Sequence, residues 1–382
     1  MNQRFYSLDV FRGATVALMI LVNNPGTWEH IFPPLEHAAW HGCTPTDLVF
    51  PFFLFAVGNA MAFVLPRLEQ QQNFWSKIIK RTALIFLIGL LLNWFPFVGY
   101  NEEGTLAGKA FAKLRIMGVL QRIALCYFFA AVLLHFFKVR CGFVAAAFLL
   151  LAYWFMCVAG NPADPYSLAG WFGTRIDMGL FGDGHMYHGE GVAFDPEGLM
   201  STFAAIAEVM FGYFAGNYIL QKGKTPEMLN GLFAAGCVLV FAGFCWDMVF
   251  PINKKIWTSS FTIYTSGLAL LVLSLLIWLI EFKNSRGAWS RFFDVFGKNA
   301  LFIFVMSGVL PRLAGLIRIP QGADAAGKTN FVDPFDWWYI HLCKPIFPSD
   351  PRIGSLIYAI CFIALMWALA YILDKKKIYI RV

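Results

Sequence analysis

Apolar residues run along this chain in long blocks, each closed by a few polar positions. A helix needs about 20 mostly apolar residues to cross a hydrocarbon layer. Ten blocks approach that length, near residues 10–23, 48–65, 82–98, 118–137, 142–159, 199–220, 231–249, 261–280, 296–313 and 353–373. The pattern predicts an all-α fold: a polytopic integral membrane bundle of about ten transmembrane helices, forming one domain over 1–382. The first block is short and polar at both ends, so other helices are expected to shield it. A short turn at 138–141 separates the fourth block from the fifth. No internal repeat is evident, so nothing in the pattern points to the inverted symmetry of many transporters.

Composition agrees with the blocks. Hydrophobic residues make up 59% of the chain and charged residues 14%, against roughly 25% charged in a soluble domain. Such a chain in water would expose far too much apolar surface, and lipid removes that difficulty. The formal charge of +7 sits in short basic loops and shows no basic tract interleaved with aromatics, which excludes nucleic acid as the expected partner. The basic segments are the N-terminus, 67–81, 138–140, 222–224, 283–291 and the tail 375–381. The positive-inside rule places these, and both termini, in the cytoplasm. Segments 25–43, 99–117, 160–198, 251–260 and 314–352 then face outward; in a bacterium this is an inner-membrane protein facing the periplasm. The eight cysteines form no CxxC pair. Cys126, Cys157, Cys237, Cys245 and Cys361 read as small buried hydrophobes, while Cys43 and Cys343 could meet outside the membrane. Residues 1–24 lack the small-residue pattern of a cleavable signal.

Polar groups inside the blocks are costly unless paired or solvated, and each carries two readings. Asp9 and Arg12, three residues apart on one helix face, form a local ion pair or place a cation for a phosphorylated ligand arriving from the cytoplasm. Gln121 and Arg122, early in the fourth block, pair with an outward carboxylate or serve a ligand. Glu208 sits mid-way along the sixth block, neutral through burial or lining a cavity. Lys298 and Asn299 open the ninth block, where the lysine either snorkels or meets a ligand. The segment 23–47 is the most informative, with His30, His37 and His41 ahead of Asp47. The histidine spacing, broken by prolines, does not present a three-ligand face, so no metal is expected. An imidazole beside a carboxylate suits general-base work, against an interfacial role. Thr44 or Thr46 is expected to cap the second helix with Asp47 in its first turn. The glycine-rich stretch 175–198 holds His185, His188, Asp195 and Glu197, fit either for a sugar-binding edge or for a solvated loop. Trp337 and Trp338 near His341 either stack on a sugar or belong to an interfacial aromatic belt, the default reading.

The motifs Ser7-Leu-Asp-Val-Phe-Arg-Gly13, Val22-Asn23, His37-Ala-Ala-Trp-His-Gly42, Asp47-Leu-Val-Phe-Pro51, Arg115-Ile-Met-Gly-Val-Leu-Gln-Arg122, Asp195-Pro-Glu-Gly198, Pro251-Ile-Asn-Lys-Lys-Ile-Trp257 and Gly297-Lys-Asn299 occur together and in order. In this the sequence resembles the heparan-α-glucosaminide N-acetyltransferase family and its bacterial relatives, over nearly the whole membrane domain. The resemblance implies an enzyme moving an acetyl group from cytoplasmic acetyl-CoA, a co-substrate, to a glucosamine or related amino-sugar amine on the far side. It implies His37 as the active histidine, with Ala39 and His41 replacing the family's serine and asparagine, and Asn23 as the functional asparagine. The stretch between Asn23 and His37 is a few residues longer here. The animal enzyme's large extra-membrane N-terminal domain has no counterpart, which makes heparan sulfate an unexpected acceptor. A homodimer is implied by the animal relative.

These readings give one expected site. His37, Asn23 and Asp47 are the catalytic set. Arg12, Gln121, Arg122, Lys298 and Asn299 are the acetyl-CoA set. Asp195, Glu197 and His185 are the sugar-binding set. CoA does not cross a bilayer unaided, so its phosphates are expected near Arg12 and Lys298, with the pantetheine arm threading the bundle toward His37. His37 either takes the amine proton as the amine attacks the thioester, which a single cavity allows, or carries the acetyl group itself. Asn23 would donate to the oxyanion. The competing class is an amino-sugar or N-acetylglucosamine permease, which needs neither histidine nor CoA.

Overall fold

The computed structural model describes residues 5–101, 104–323 and 329–380; of the basic tail, Arg381 lies outside them. The chain is an all-α membrane bundle. Its helices are α1 (Tyr6–Asn23), α2 (Val49–Glu69), α3 (Phe74–Trp94), α4 (Val119–Gly160), α5 (Phe172–Phe181), α6 (Leu199–Lys222), α7 (Pro226–Asp247), α8 (Ser259–Ile277), α9 (Ala288–Lys298), α10 (Ala300–Ala314), α11 (Pro334–Trp338) and α12 (Pro351–Lys375). A π turn, Trp278–Phe282, extends α8. Two antiparallel hairpins, β1 (Val98–Tyr100) with β2 (Leu106–Gly108) and β3 (Ile319–Ala323) with β4 (Thr329–Val332), lie in the connecting segments.

Among the described residues, seven helices are long and apolar enough to cross a membrane, and eight if the bent pair α9–α10 counts as one crossing. Helix α4 holds 42 residues, about 63 Å of rise and twice a bilayer core. Lys138 divides it with φ 51° and ψ −167°, so its two arms are the fourth and fifth expected spans. Helix α3 carries Lys77, Lys80 and Arg81 in its first two turns and is apolar beyond them. All ten expected spans are therefore helical. The third ends at Trp94, short of the expected residue 98, because Pro96 cannot continue a helix and disfavours it at Phe95.

The ninth span departs most from expectation. One straight helix was expected over 296–313; the structure breaks it at Asn299 and bends it by 81°. A distant contact accompanies the bend. Asn299 Nδ2 donates to Ile378 O (3.1 Å) and its Oδ1 accepts from Ile380 N (2.8 Å). The side chain thus ties the break to the C-terminal tail, while the Asn299 carbonyl still accepts from Ile303 N at 3.0 Å.

Without a hydrophobic drive between helices in lipid, close packing rests on small residues. A Cβ on Gly58 would lie 1.8 Å from Val209 O, and one on Gly212 would lie 2.0 Å from Phe55 O. Helices α2 and α6 therefore cross backbone to backbone at the centre of the bundle. Helix α1 crosses α9 in the same way, with Gly13 against Phe293 O and Gly297 against Asp9 O. As expected, α1 is shielded: Val10, Val16 and Ile20 are buried. Arg12 reaches Gly297 O and Lys298 reaches Asp374, so the two ends of the chain meet at one end of the bundle. The opposite end, where α1 stops and α2, α4 and α6 begin, holds the polar loops. Cys43 and Cys343 are both free thiols, so the bridge between them does not form.

Candidate active site

The loop after α1 folds back to place His37 on Asp47. Thr44 is the N-cap of the turn leading into α2 and Asp47 its third residue, in a reciprocal capping box. This fixes the carboxylate. Oδ2 accepts from Thr44 N and Ala38 N, each at 3.0 Å. Oδ1 lies 2.7 Å from His37 Nδ1. A carboxylate can only accept, so Nδ1 carries the proton and Nε2 keeps its lone pair. Asp47 is 1% exposed and the His37 side chain 39%, so the imidazole is half-open above a buried anchor.

A second strand of contacts reaches the same point from the loop between α7 and α8. Gly42 N donates to Ile252 O at 2.7 Å, and Gly42 bridges Asn253. Asn253 Oδ1 caps Ile256 N at 3.1 Å, closing a tight turn. The turn sets Lys254 Nζ 3.0 and 3.2 Å from the two ring nitrogens of His37 and 3.7 Å from Asp47 Oδ1. Lys255 is held by Glu190 at 2.7 Å. Trp257, at φ 50°, covers the guanidinium of Arg122 at 5.0 Å. Burial lowers the Lys254 pKa, against the opposing pull of Asp47 and Glu197. Burial also pushes the neighbouring Cys43 thiol up to about 12, which leaves it inert.

The third wall is the segment before α6. Arg115 takes Asp195 in a fork, Nε to Oδ2 at 3.0 Å and Nη2 to Oδ1 at 2.6 Å, and also bonds Glu197. These two carboxylates hold the arginine pKa up, and Arg115 holds Glu197 down. Arg122 is fully buried; its Nη2 donates to Gly198 O at 3.1 Å and bonds Ser201 Oγ. Its Nε and Nη1 have no hydrogen-bond partner among the described residues.

The expected residues thus divide. His37 and Asp47 come together, and Glu197 and Arg122 line the same end of the bundle. Asn23 is exposed at the end of α1 and joins none of the bonds that hold His37 and Asp47. Asp195 is 1% exposed with both oxygens engaged by Arg115, so it positions that wall and presents no free acceptor to a sugar. His185 lies 2.6 Å from Leu114 O through Nδ1 and steadies the segment carrying Arg115. The acetyl-CoA set is split between the two ends. Gln121 and Arg122 lie with His37, whereas Arg12, Lys298 and Asn299 lie where the chain ends meet. There Lys298 sits between Asp294 (2.8 Å) and Asp374 (3.0 Å), and Arg12 bonds Gly297 O and Asp9. Glu208 is elsewhere: buried in α6, it accepts from Thr265 Oγ1 at 3.1 Å and Ser266 Oγ at 2.9 Å, tying α6 to α8.

Two functional candidates were missed by sequence reasoning. Arg115, not Arg122, forms the salt bridges to Asp195 and Glu197. Lys254 had a visible signal: a Lys-Lys pair in a short loop assigned outward runs against the positive-inside rule.

Residues 4–176, which hold His37, Asp47, Arg115 and Arg122, match the family model described as heparan-alpha-glucosaminide N-acetyltransferase, catalytic. Over this stretch, somewhat less than half of the chain, the sequence is similar to that family. It is 28% identical over 437 aligned positions to the heparan-alpha-glucosaminide N-acetyltransferases of Mus musculus and of Homo sapiens, covering 99% of this chain and 60% of each relative. The chain thus spans about 60% of the length of the curated relatives it matches. The family match covers the wall that carries the His37–Asp47 pair, and Lys254 lies within the longer alignment.

Proposed function

We propose that this protein transfers an acetyl group from acetyl-CoA to the amine of glucosamine or a related amino sugar, with donor and acceptor on opposite sides of the membrane. The observation that carries the reading is the His37–Asp47 pair at 2.7 Å, half-open at one end of the bundle, in a chain whose relatives are named N-acetyltransferases. Asp47 holds the proton on Nδ1. Nε2 is then the base that takes a proton from the attacking nitrogen. Glu197, partly exposed beside Arg115, is the carboxylate placed to meet the sugar.

The donor would enter from the end where the chain termini meet. Its phosphates would meet Arg12, and its acyl arm would run toward Arg122, whose two unpartnered nitrogens suit carbonyl oxygens. Lys298 and Asn299, engaged with Asp294, Asp374 and the tail, fit a supporting role at that mouth. Both termini would lie in the cytoplasm of a bacterial inner membrane.

The test is direct. Purified protein in detergent, given acetyl-CoA and glucosamine, should release free CoA and form the N-acetyl sugar. His37→Ala should lose nearly all of this, about 10²–10⁴-fold, while keeping its elution profile. Full activity in that variant, or amino-sugar flux in proteoliposomes without acetyl-CoA, would refute the assignment.

A further inference from the structure

Transfer from a thioester to an amine breaks a C–S bond and forms a C–N bond. The amine gives up a proton, and the departing thiolate needs one. His37 takes the first proton, and a second acid at its side would let the sulfur receive its proton without waiting on that imidazolium.

Lys254 stands beside His37 and could supply that second proton. Its Nζ lies 3.0 Å from His37 Nδ1 and 3.2 Å from Nε2. The near-equal distances put the ammonium against the ring, not at the tip of one lone pair. Its side chain is 19% exposed and opens to the same mouth as His37. The turn that carries it is fixed at both ends: Asn253 caps Ile256, and Trp257 is pinned on Arg122. The charged and titratable groups around it are His37 and Cys43 from the loop after α1, Asp47 from the first turn of α2, and Glu197 from the segment before α6. Behind Glu197 stand Arg115 and Arg122; on its own turn, Lys255 is occupied by Glu190. Burial makes the charged form costly, which favours giving the proton away.

We propose that Lys254 is the catalytic acid of this transfer, giving a proton to the departing thiolate and recovering one from His37. The amine attacks the thioester carbonyl, and His37 Nε2 takes the amine's proton. The C–S bond breaks, and the Lys254 ammonium protonates the sulfur to give a free thiol. The His37 imidazolium then returns its proton to the Lys254 amine. Amine and thioester become amide and thiol, and both side chains end as they began. The proposal rests on the acetyl-transfer reading above.

The experiment compares two acetyl donors with the full chain in detergent and glucosamine as acceptor. One is acetyl-CoA, whose alkyl thiol has a pKa of about 8.5 and leaves better when protonated. The other is the acetyl thioester of 4-nitrothiophenol, whose thiolate leaves without a proton. Lys254→Met should lower kcat with acetyl-CoA by about 10²-fold and with the aryl thioester by less than about threefold. Lys254→Arg keeps the charge but holds its proton too tightly to act as an acid, and should stay slow with acetyl-CoA only. Equal losses with both donors, or full recovery in Lys254→Arg, overturn the proposal and leave the acetyl-transfer reading intact. Failure of the unaltered protein with both donors overturns that reading and the proposal together. If Lys254→Met does not purify as a folded protein, the Lys254→Arg comparison decides alone.

Discussion

His37 and Asp47 stand ten positions apart, and the capping box at Thr44 brings them into contact. The cap was legible in the sequence, as Thr44 or Thr46 ahead of an apolar run; the reciprocal box with Asp47 was not. The contact with His37 follows from the cap, since the carboxylate has little freedom left. Asp47→Asn should therefore act on chemistry more than on folding. An amide can donate to Nδ1, which moves the imidazole proton to Nε2 and removes the base. Acetyl transfer should fall about 10²–10⁴-fold, with the thermal midpoint little changed; a variant at full rate would show that Asp47 serves only as a cap. Lys254 was not legible in this way. Its partner lies 217 positions away, and no local pattern ties them. Arg115 was missed for a related reason: nothing in its segment shows which of two nearby arginines meets Asp195.

Helical spans were legible because lipid demands long apolar runs, whatever their partners. Their crossings were not, because those depend on which glycines face each other. Gly58→Val or Gly212→Val would push a branched side chain into the facing backbone, which cannot swing aside. Each should destabilise the protein by at least about 2 kcal/mol, read as loss of monodisperse protein in detergent; a normal elution peak would contradict the crossing described. Glu208 makes a gentler contact. Glu208→Gln keeps one acceptor oxygen and turns the other contact into an amide donor to a hydroxyl oxygen; it should leave acetyl transfer unchanged, whereas a carrier coupled to that carboxyl would stop. At the start of α6, Asp177 accepts from Leu199 N at 3.0 Å while its second oxygen is buried without a partner among the described residues. Burial raises its pKa from 3.8 to about 7. A carboxyl with a raised pKa binds its proton more tightly when folded, so the folded state loses stability as pH climbs from about 4 to 7. Above 7 the cost is complete. Asp177→Asn should flatten that part of the stability–pH curve, and its midpoint should gain on the unaltered protein by several degrees at pH 8; identical curves would mean the carboxyl is solvated.

Across the whole molecule, the polar groups gather at two ends joined by apolar helices. The end with His37 carries the groups we propose act on protons; the end with Arg12 and Lys298 carries groups that bind each other. This division predicts different outcomes for two basic residues at one mouth. Arg12→Ala should raise the KM for acetyl-CoA with a modest effect on the thermal midpoint. Lys298→Met, which leaves Asp294 and Asp374 facing one another, should lower the midpoint first. The reverse result would move the donor site onto Lys298. Sealed vesicles should also consume acetyl-CoA from one face and acetylate sugar only on the other.

The bend at Asn299 has a practical consequence for anyone handling this protein. Both bonds of that side chain go to Ile378 and Ile380, so the last residues of the chain act as a splint for a helix joint some 80 positions earlier. Trimming the chain before Ile378, or straining that stretch with a rigid fusion, should loosen α9 from α10 and unsettle the close Gly13–Gly297 crossing. A flexible spacer after the tail should leave the joint set.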